Sequence, residues 1–242
     1  MNIKNTWITN SKIAHRGLHN DANPENTLAA FELAILHGYA IELDVRELSD
    51  GTIVVFHDET LDRLTKLDGY VCKQNWDTIK NLTIGKSEHT IPTLQQMLNF
   101  VGNRAPLLIE IKNENFCGSF EKNILDILKN YTGEYAVQSF NPYSLEVFKN
   151  MNPTIIRGQL ATQLGKDTKM EKSNIKQMNT LKVCDISEPH FLSYDIQFMP
   201  NKYIRKQMKN GLPIIGWVVR SQEEYEKAKG YCDNIIFEGF CP

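Results

Sequence analysis

The chain has 242 residues, 41% of them apolar and 23% charged, which is ordinary for a globular protein and long enough to bury a large core without disulfide or metal staples. Its 27 Lys and Arg against 29 Asp and Glu give a formal net charge of −2. That balance, with no long basic run, argues against a nucleic-acid binder, which must neutralise phosphates, and against docking on an anionic membrane.

Short β-type runs alternate with amphipathic helical runs. Lys12–Arg16 (KIAHR) reads as a short strand. A helix is expected over Glu25–His37, stopped by Gly38. Ala40–Leu48 is a strand, Ser49-Asp50-Gly51 a turn and Thr52–His57 a second strand, so the two can form a hairpin. Pro106–Lys112 (PLLIEIK) is a strand, and Phe120–Lys129 a helix with Phe120, Ile124, Leu125 and Leu128 on one face. Tyr135–Phe140 is a strand, Tyr143–Met151 a helix and Thr154–Ala161 a strand. Thr162–Asn179 is polar and ambiguous. Lys182–Ser187 reads as extended and Phe191–Gln197 as a strand. Lys202–Asn210 is a helix ended by Gly211, Leu212–Val219 a strand, Gln222–Lys229 a helix capped by Ser221, and Asn234–Phe237 the last strand.

Strands recurring with helices between them imply parallel pairing and covered sheet faces. Roughly eight such units in a chain of this length suggest an α/β fold of the TIM (β/α)8 barrel type. An open doubly wound sheet is the alternative, and periodicity alone leaves that choice open, although no GxGxxG follows the first strand. No linker divides residues 1–242, so a single domain is expected. Two irregularities accompany it. Residues 58–92 form a long excursion after the second strand region, an insertion of the kind that serves as a lid or binding loop. Gly239–Pro242 is too short for a full eighth helix, so the last helix is expected to be truncated or missing, with residues 1–10 available to cover the gap.

No run of about 18 apolar residues occurs, so no integral membrane segment is expected, and residues 1–10 are too polar for a signal peptide. Cys72, Cys117, Cys184, Cys232 and Cys241 are scattered without a CxxC pair, which argues against a disulfide framework or zinc site. They read as buried apolar fillers in a reduced, cytoplasmic protein.

Ionisable residues sit at the ends of the apolar strands, where barrel active sites form. His15 and Arg16 end the first, Glu42 and Asp44 lie on the second, His57 ends the hairpin strand, and Glu110 and Lys112 end PLLIEIK. Side chains two apart on a strand share a face. If those faces point inward, three carboxylates converge. Two like charges at about 4 Å repel by about 4 kcal/mol at an effective dielectric near 20, so such a cluster calls for a cation. Oxygen ligands suit Mg2+ or Ca2+, and Arg16 and Lys112 are further counter-charges. Two histidines, two cations and a carboxylate-bound metal suit phosphoryl chemistry, one imidazole taking a proton while the other gives one. His19, His37, His89 and His190 lack such company and read as surface or structural residues.

The runs IAHRG (13–17), PENTLAAF (24–31), IELDVRELSDGTIVVFHDETLDRLT (41–65), IPTLQQML (91–98), IEIK (109–112) and QSFN (138–141) resemble the glycerophosphodiester phosphodiesterases. They cover the first three-fifths of the chain. The resemblance implies a TIM barrel that hydrolyses glycerophosphodiesters to an alcohol and glycerol 3-phosphate with one divalent metal, Mn2+ included among the candidates. It implies His15 and His57 as the acid/base pair, Glu42, Asp44 and Glu110 as metal ligands, Arg16 and Lys112 as phosphate contacts, Glu25 and Asn26 as support, and Gln138 and Trp217 as further lining residues. A small-molecule diester is the expected partner, with a homo-oligomer left open. The family's DG-I-I-T-D-x-P segment is replaced here by Asp233-Asn234-Ile235-Ile236-Phe237-Glu238-Gly239, and its WT by Trp217-Val218. These departures bear on substrate choice. Two other readings share the motifs. One is a lysophospholipase D-like enzyme with an apolar groove built from Trp76, Phe116 and Phe120. The other is a non-catalytic phosphoester-binding protein, since fold does not determine function.

Overall fold

The computed structural model describes residues 3–113, 117–165 and 168–242; Phe116 lies outside them. Among the described residues the strands are β1 (Ile13–Ala14), β2 (Ala40–Glu47), β3 (Ile53–Val55), β4 (Leu107–Ile111), β5 (Tyr135–Ser139), β6 (Ile156–Ala161), β7 (Phe191–Asp195), β8 (Ile214–Val219) and β9 (Asn234–Phe237). The chain divides into two compact units, Ile13–Tyr135 and Met1–Lys12 with Ala136–Pro242. Parallel strands separated by helices run through both, the βα repeat that a TIM (β/α)8 barrel and an open doubly wound sheet share.

In the unit Ile13–Tyr135, β2 is central. It pairs in parallel with β1 and β4 and antiparallel with β3, the expected hairpin. Ala40 to Val45 are all buried, as in a parallel strand covered on both faces. The helix expected from Glu25 starts later, at Leu28–Leu36. Pro24, Glu25 and Asn26 stay in a loop, with Asn26 at φ +58°, and Thr27 caps the helix by accepting from the Ala30 N–H. A helix at Leu94–Val101 is absent from the expected elements. Its signal is the capping box, in which Thr93 Oγ1 accepts from Gln96 N (3.1 Å) and Gln96 Oε1 from Thr93 N (2.9 Å).

The insertion is packed rather than loose. It holds a 3-10 turn at Val71–Lys73 and a short helix at Trp76–Ile79. Phe56, Leu61, Val71, Ile79, Ile84 and Ile91 form an apolar cluster there, with Trp76 packed against it. Trp76 is therefore tied to that cluster, and Phe120, only 6% exposed, is buried by the helix Ser119–Leu128. Neither is free to build an exposed apolar groove.

In the other unit β5 to β9 pair in order, all in parallel. Pro142–Met151, Lys172–Asn179, Lys202–Lys209 and Gln222–Ala228 are the helices between them. The run expected to be extended at Lys182–Ser187 instead carries the helix Cys184–Ser187. Asp185 stands in its first turn, and Ser187 Oγ donates back to Val183 O at 3.2 Å. Residues 238–242 form no helix. The short helix Trp7–Asn10 lies against β9, with Trp7 and Ile8 buried. Asn234 Nδ2 holds it there by donating to Ile8 O (2.8 Å) and Ser11 O (2.7 Å). The cysteines fill the core only in part: Cys184 and Cys232 are half-buried against the apolar cluster around Leu192 and Ile214, Cys117 is half-buried, Cys72 and Cys241 are exposed, and none is joined in a disulfide. No helix among the described residues is long and apolar enough to cross a membrane.

Candidate active site

Register explains why distant carboxylates meet. In the β2–β4 ladder Asp44 stands opposite Glu110, and Glu42 opposite Leu108. Glu42 and Asp44 share one face of β2, so both lie beside Glu110. One oxygen from each of the three lies within 4.8 Å of the others, and all three side chains are buried. Glu42 Oε1 is buried without a hydrogen-bond partner among the described residues. Lys112 follows β4 and sets Nζ 2.5 Å from Glu110 Oε1 and 3.1 Å from Asp44 Oδ1.

Two loops close on this cluster. Past β1 the chain turns through left-handed backbone at Arg16 (φ +57°) and Gly17 (φ +78°). A Cβ on Gly17 would stand 2.8–2.9 Å from Ala30 atoms, so the glycine lets the loop lie flat on the helix Leu28–Leu36. Arg16 N donates to Glu42 Oε2 (3.0 Å), Arg16 Nη1 to Glu25 Oε1 (2.6 Å), and Arg16 Nε stands 3.4 Å from Asp44 Oδ2. Asn26 donates to Asp44 Oδ2 at 2.8 Å, and its own N–H donates to Arg16 O. The second loop leaves β3. Because β3 runs antiparallel to β2, with Phe56 N donating to Asp44 O, it carries His57 back to the level of Asp44. Arg46 Nε holds the His57 carbonyl at 2.9 Å.

The charges sort the carboxylates. Burial, then repulsion from Asp44 and Glu110, raises Glu42 well above the ordinary carboxylate range. Burial also raises Glu110, against the pull of Lys112. Asp44 goes the other way. Burial pushes it up, but the charges of Lys112, Arg16, His57 and His15 outweigh that and hold it low. Both imidazoles therefore lie close enough to act on the same carboxyl. Burial would lower Lys112, yet Asp44 and Glu110 keep its ammonium strongly protonated. His57 is lowered, chiefly by burial, with Asp44 opposing.

Thus His15, Arg16, Glu25, Asn26, Glu42, Asp44, His57, Glu110 and Lys112 all fall within the unit Ile13–Tyr135. Gln138 and Trp217 belong to the other unit. Gln138 is buried in β5 and accepts from Ser193 Oγ at 2.8 Å. Trp217 in β8 packs edge-on against Phe140, with its Nε1 buried and without a hydrogen-bond partner among the described residues. Sequence reasoning missed Asp58 and Arg63. Asp58 Oδ1 lies 2.7 Å from His57 Nδ1, and Arg63 bridges Asp58 to Glu25. The signal for Asp58 was its place next to His57. Arg63 stands in the same run, 41–65, that carries the family resemblance, but nothing in the sequence pointed to a role of its own.

A donor set of three acidic oxygens, one of them orphaned and buried, fits a hard divalent cation. Flanking guanidinium and ammonium groups fit a phosphate, and two imidazoles can exchange protons near neutral pH.

The sequence profile of the glycerophosphoryl diester phosphodiesterase family matches residues 15–237. A glycerophosphodiester phosphodiesterase of Caldanaerobacter subterraneus subsp. tengcongensis is 31% identical, over 93% of this chain and 92% of its own. Glycerophosphodiester phosphodiesterase 1 of Mus musculus is 26% identical, over 96% and 80%. Among solved structures, an Oleispira antarctica phosphodiesterase in complex with the product sn-glycerol-3-phosphate superposes with a TM-score of 0.81 at 24% identity, covering 94% of this chain and 92% of that one. The glycerophosphodiester phosphodiesterase of Thermotoga maritima gives a TM-score of 0.71 at 27% identity, covering 93% and 92%. The likeness establishes the TIM (β/α)8 barrel fold.

Proposed function

We infer that this chain, which belongs to the glycerophosphoryl diester phosphodiesterase family and is a phosphoric diester hydrolase, cleaves glycerophosphodiesters to an alcohol and glycerol 3-phosphate by two-histidine catalysis with a divalent ion. The observation that carries this reading is the buried triad Glu42, Asp44 and Glu110, ringed by Arg16, Lys112 and two imidazoles. The glycerol 3-phosphate bound by the Oleispira antarctica enzyme supports the product assignment.

Glu42, Asp44 and Glu110 would hold the ion, with Mg2+, Ca2+ and Mn2+ as candidates. When bound, it supplies positive charge to the phosphoryl oxygens. Arg16 and Lys112 add donors to the same oxygens as charge develops on them. One histidine accepts the proton of the substrate's glycerol hydroxyl as that oxygen bonds to phosphorus. The other gives its proton to the departing alcohol oxygen as the P–O bond breaks. A water then opens the cyclic glycerol phosphate with the two roles exchanged. His57 Nδ1 faces the Asp58 carboxylate, so its proton-transfer atom is Nε2. Glu25 and Asn26 hold Arg16 and Asp44 in place. We read Gln138 and Trp217 as further substrate-binding residues, and residues 1–242 as one domain with the insertion at about 58–92. Cysteines outside any disulfide suit a reducing, cytoplasmic setting.

The experiment is a panel of glycerophosphodiesters incubated with Mg2+, Ca2+, Mn2+ or chelator. Phosphomonoester release that needs a divalent ion is expected, and His15→Ala and His57→Ala should each lower kcat about 10²–10⁴-fold. Turnover surviving in chelator, or in both variants, would overturn the reading.

A further inference from the structure

Arg63 uses both edges of its guanidinium on two different carboxylates. Nε donates to Asp58 Oδ2 (2.5 Å) and Nη2 to Asp58 Oδ1 (2.9 Å). Nη1 donates to Glu25 Oε2 (2.9 Å) and Nη2 also to Glu25 Oε1 (2.8 Å). The oxygens that share Nη2 are the two with onward contacts. Asp58 Oδ1 meets His57 Nδ1 at 2.7 Å, and Glu25 Oε1 accepts from Arg16 Nη1 at 2.6 Å. A single nitrogen thus links the carboxylate that orients a histidine to the carboxylate that aims an arginine.

The arginine is itself fixed from behind. Leu61 is wholly buried in the insertion's apolar cluster, and Leu64 packs against it. The turn between them is tied by Thr65 N and Oγ1 donating to Leu61 O, and by Gly85 N donating to Leu64 O. Half of the Arg63 side chain is exposed. An isolated ion pair there would count for little, but two planar forks restrict direction as well as charge.

We propose that Arg63, carried by the insertion, is a positioning residue for the hydrolytic site. It holds Asp58 so that His57 keeps its proton on Nδ1 and presents Nε2 for proton transfer, and it holds Glu25 so that Arg16 points into the carboxylate cluster. The kinetic consequence rests on the acid/base role proposed for His57; the tautomer consequence does not.

The test has two arms. In ¹⁵N NMR of the metal-free protein at neutral pH, the His57 ring signal is assigned by its loss in His57→Gln. It should report the Nδ1–H tautomer in the wild type and a mixture in Arg63→Gln. In the ion-supplemented enzyme with a glycerophosphodiester, Arg63→Gln and Arg63→Ala should lower kcat about 10- to 100-fold, with KM moving less. Arg63→Lys, a point charge, should recover only a small part of that loss. A wild-type Nε2–H tautomer, a folded Arg63→Gln with unchanged tautomer and kcat, or full rescue by Arg63→Lys would each overturn the proposal. Should the wild type turn over no diester at all, the functional reading fails while the NMR arm still decides the placement of His57.

Discussion

Asn26 and Asp44 are bonded in both directions: the Asn26 amide donates to Asp44 Oδ2 at 2.8 Å, and its Oδ1 accepts from the Asp44 backbone N–H at 3.3 Å. Both residues are buried. Without the Asn26 amide, Asp44 Oδ2 keeps only the longer 3.4 Å contact to Arg16 Nε, and a buried polar atom left under-satisfied costs about 1–3 kcal/mol. Asn is also among the few residues that adopt the left-handed backbone seen at position 26 without a large penalty. Asn26→Ala should therefore destabilise the metal-free protein by about 2 kcal/mol or more in urea unfolding. It should also weaken divalent-ion affinity about 10- to 100-fold by calorimetry, because Asp44 loses the amide that orients it. A variant with wild-type affinity would remove Asn26 from the support of the site.

Glu42 carries the opposite sign. Its carboxyl is raised well above the ordinary range by burial, so ionising it strains the metal-free fold. A group with a raised folded pKa adds stability below its unfolded value and loses that contribution as pH rises towards the folded one. Glu42→Gln keeps the shape and removes the titration. The metal-free variant should match or exceed wild-type Tm at neutral pH, and its Tm should fall less than that of the wild type on going from acid to neutral pH. Adding a divalent ion should raise wild-type Tm, by mass action on the folded state, and leave the variant nearly unmoved. Equal ion-induced shifts in the two proteins would show that Glu42 is no ligand.

Asp58 governs an acid limb. Burial pushes its carboxyl up, but the hydrogen bonds from Arg63 and His57, with their charges, bring it from 3.8 down to about 2. Glu25 is likewise lowered, by Arg63 and Arg16 acting against burial. For a depressed carboxyl the stabilisation is present above the unfolded value and fades as pH falls through the folded one. The wild type should hold the insertion down to about pH 3. Arg63→Ala should begin to lose it nearer pH 4, where unpaired carboxyls protonate. Trp76, packed on the insertion's cluster, is a fluorescence reporter for that transition. Coincident acid curves would mean that the bridge contributes nothing to folding.

The pairs Glu42/Asp44 and Glu110/Lys112 were legible because a strand's period of two forces such residues onto one face, and AIELDV leaves little room for a solvated one. Their meeting depends on the register that sets Asp44 against Glu110, which is decided by loop lengths and packing rather than by either strand alone. Arg63 was harder. Its partner Glu25 lies 38 residues away on another loop, and no periodicity links two loops. The helix Cys184–Ser187 is too short for a 3.6-residue pattern to register. The helix Leu94–Val101, by contrast, was announced by the Thr93 and Gln96 spacing.

Gly17 tests how tightly the His15–Arg16 turn is bound to its scaffold. At φ +78° an alanine bears about 1–2 kcal/mol of left-handed strain. Its Cβ would also meet the carbonyl carbon of the fully buried Ala30 at 2.8 Å and the Ala30 Cβ at 2.9 Å. Backbone cannot move aside as a flexible side chain can, so the turn must lift. Lifting stretches the Leu18 N to Ala30 O hydrogen bond, now 3.0 Å, and the Arg16 N contact to Glu42 Oε2, also 3.0 Å. Gly17→Ala should cost about 2–4 kcal/mol in urea unfolding, and the folded fraction should lose hydrolytic activity through misplacement of His15 and Arg16. Asn, which tolerates the left-handed region better than other L-residues, relieves only the dihedral part and still meets Ala30. Gly17→Asn should therefore remain clearly destabilised. Wild-type stability in Gly17→Asn would show that the dihedral, and not the approach to Ala30, is what requires glycine.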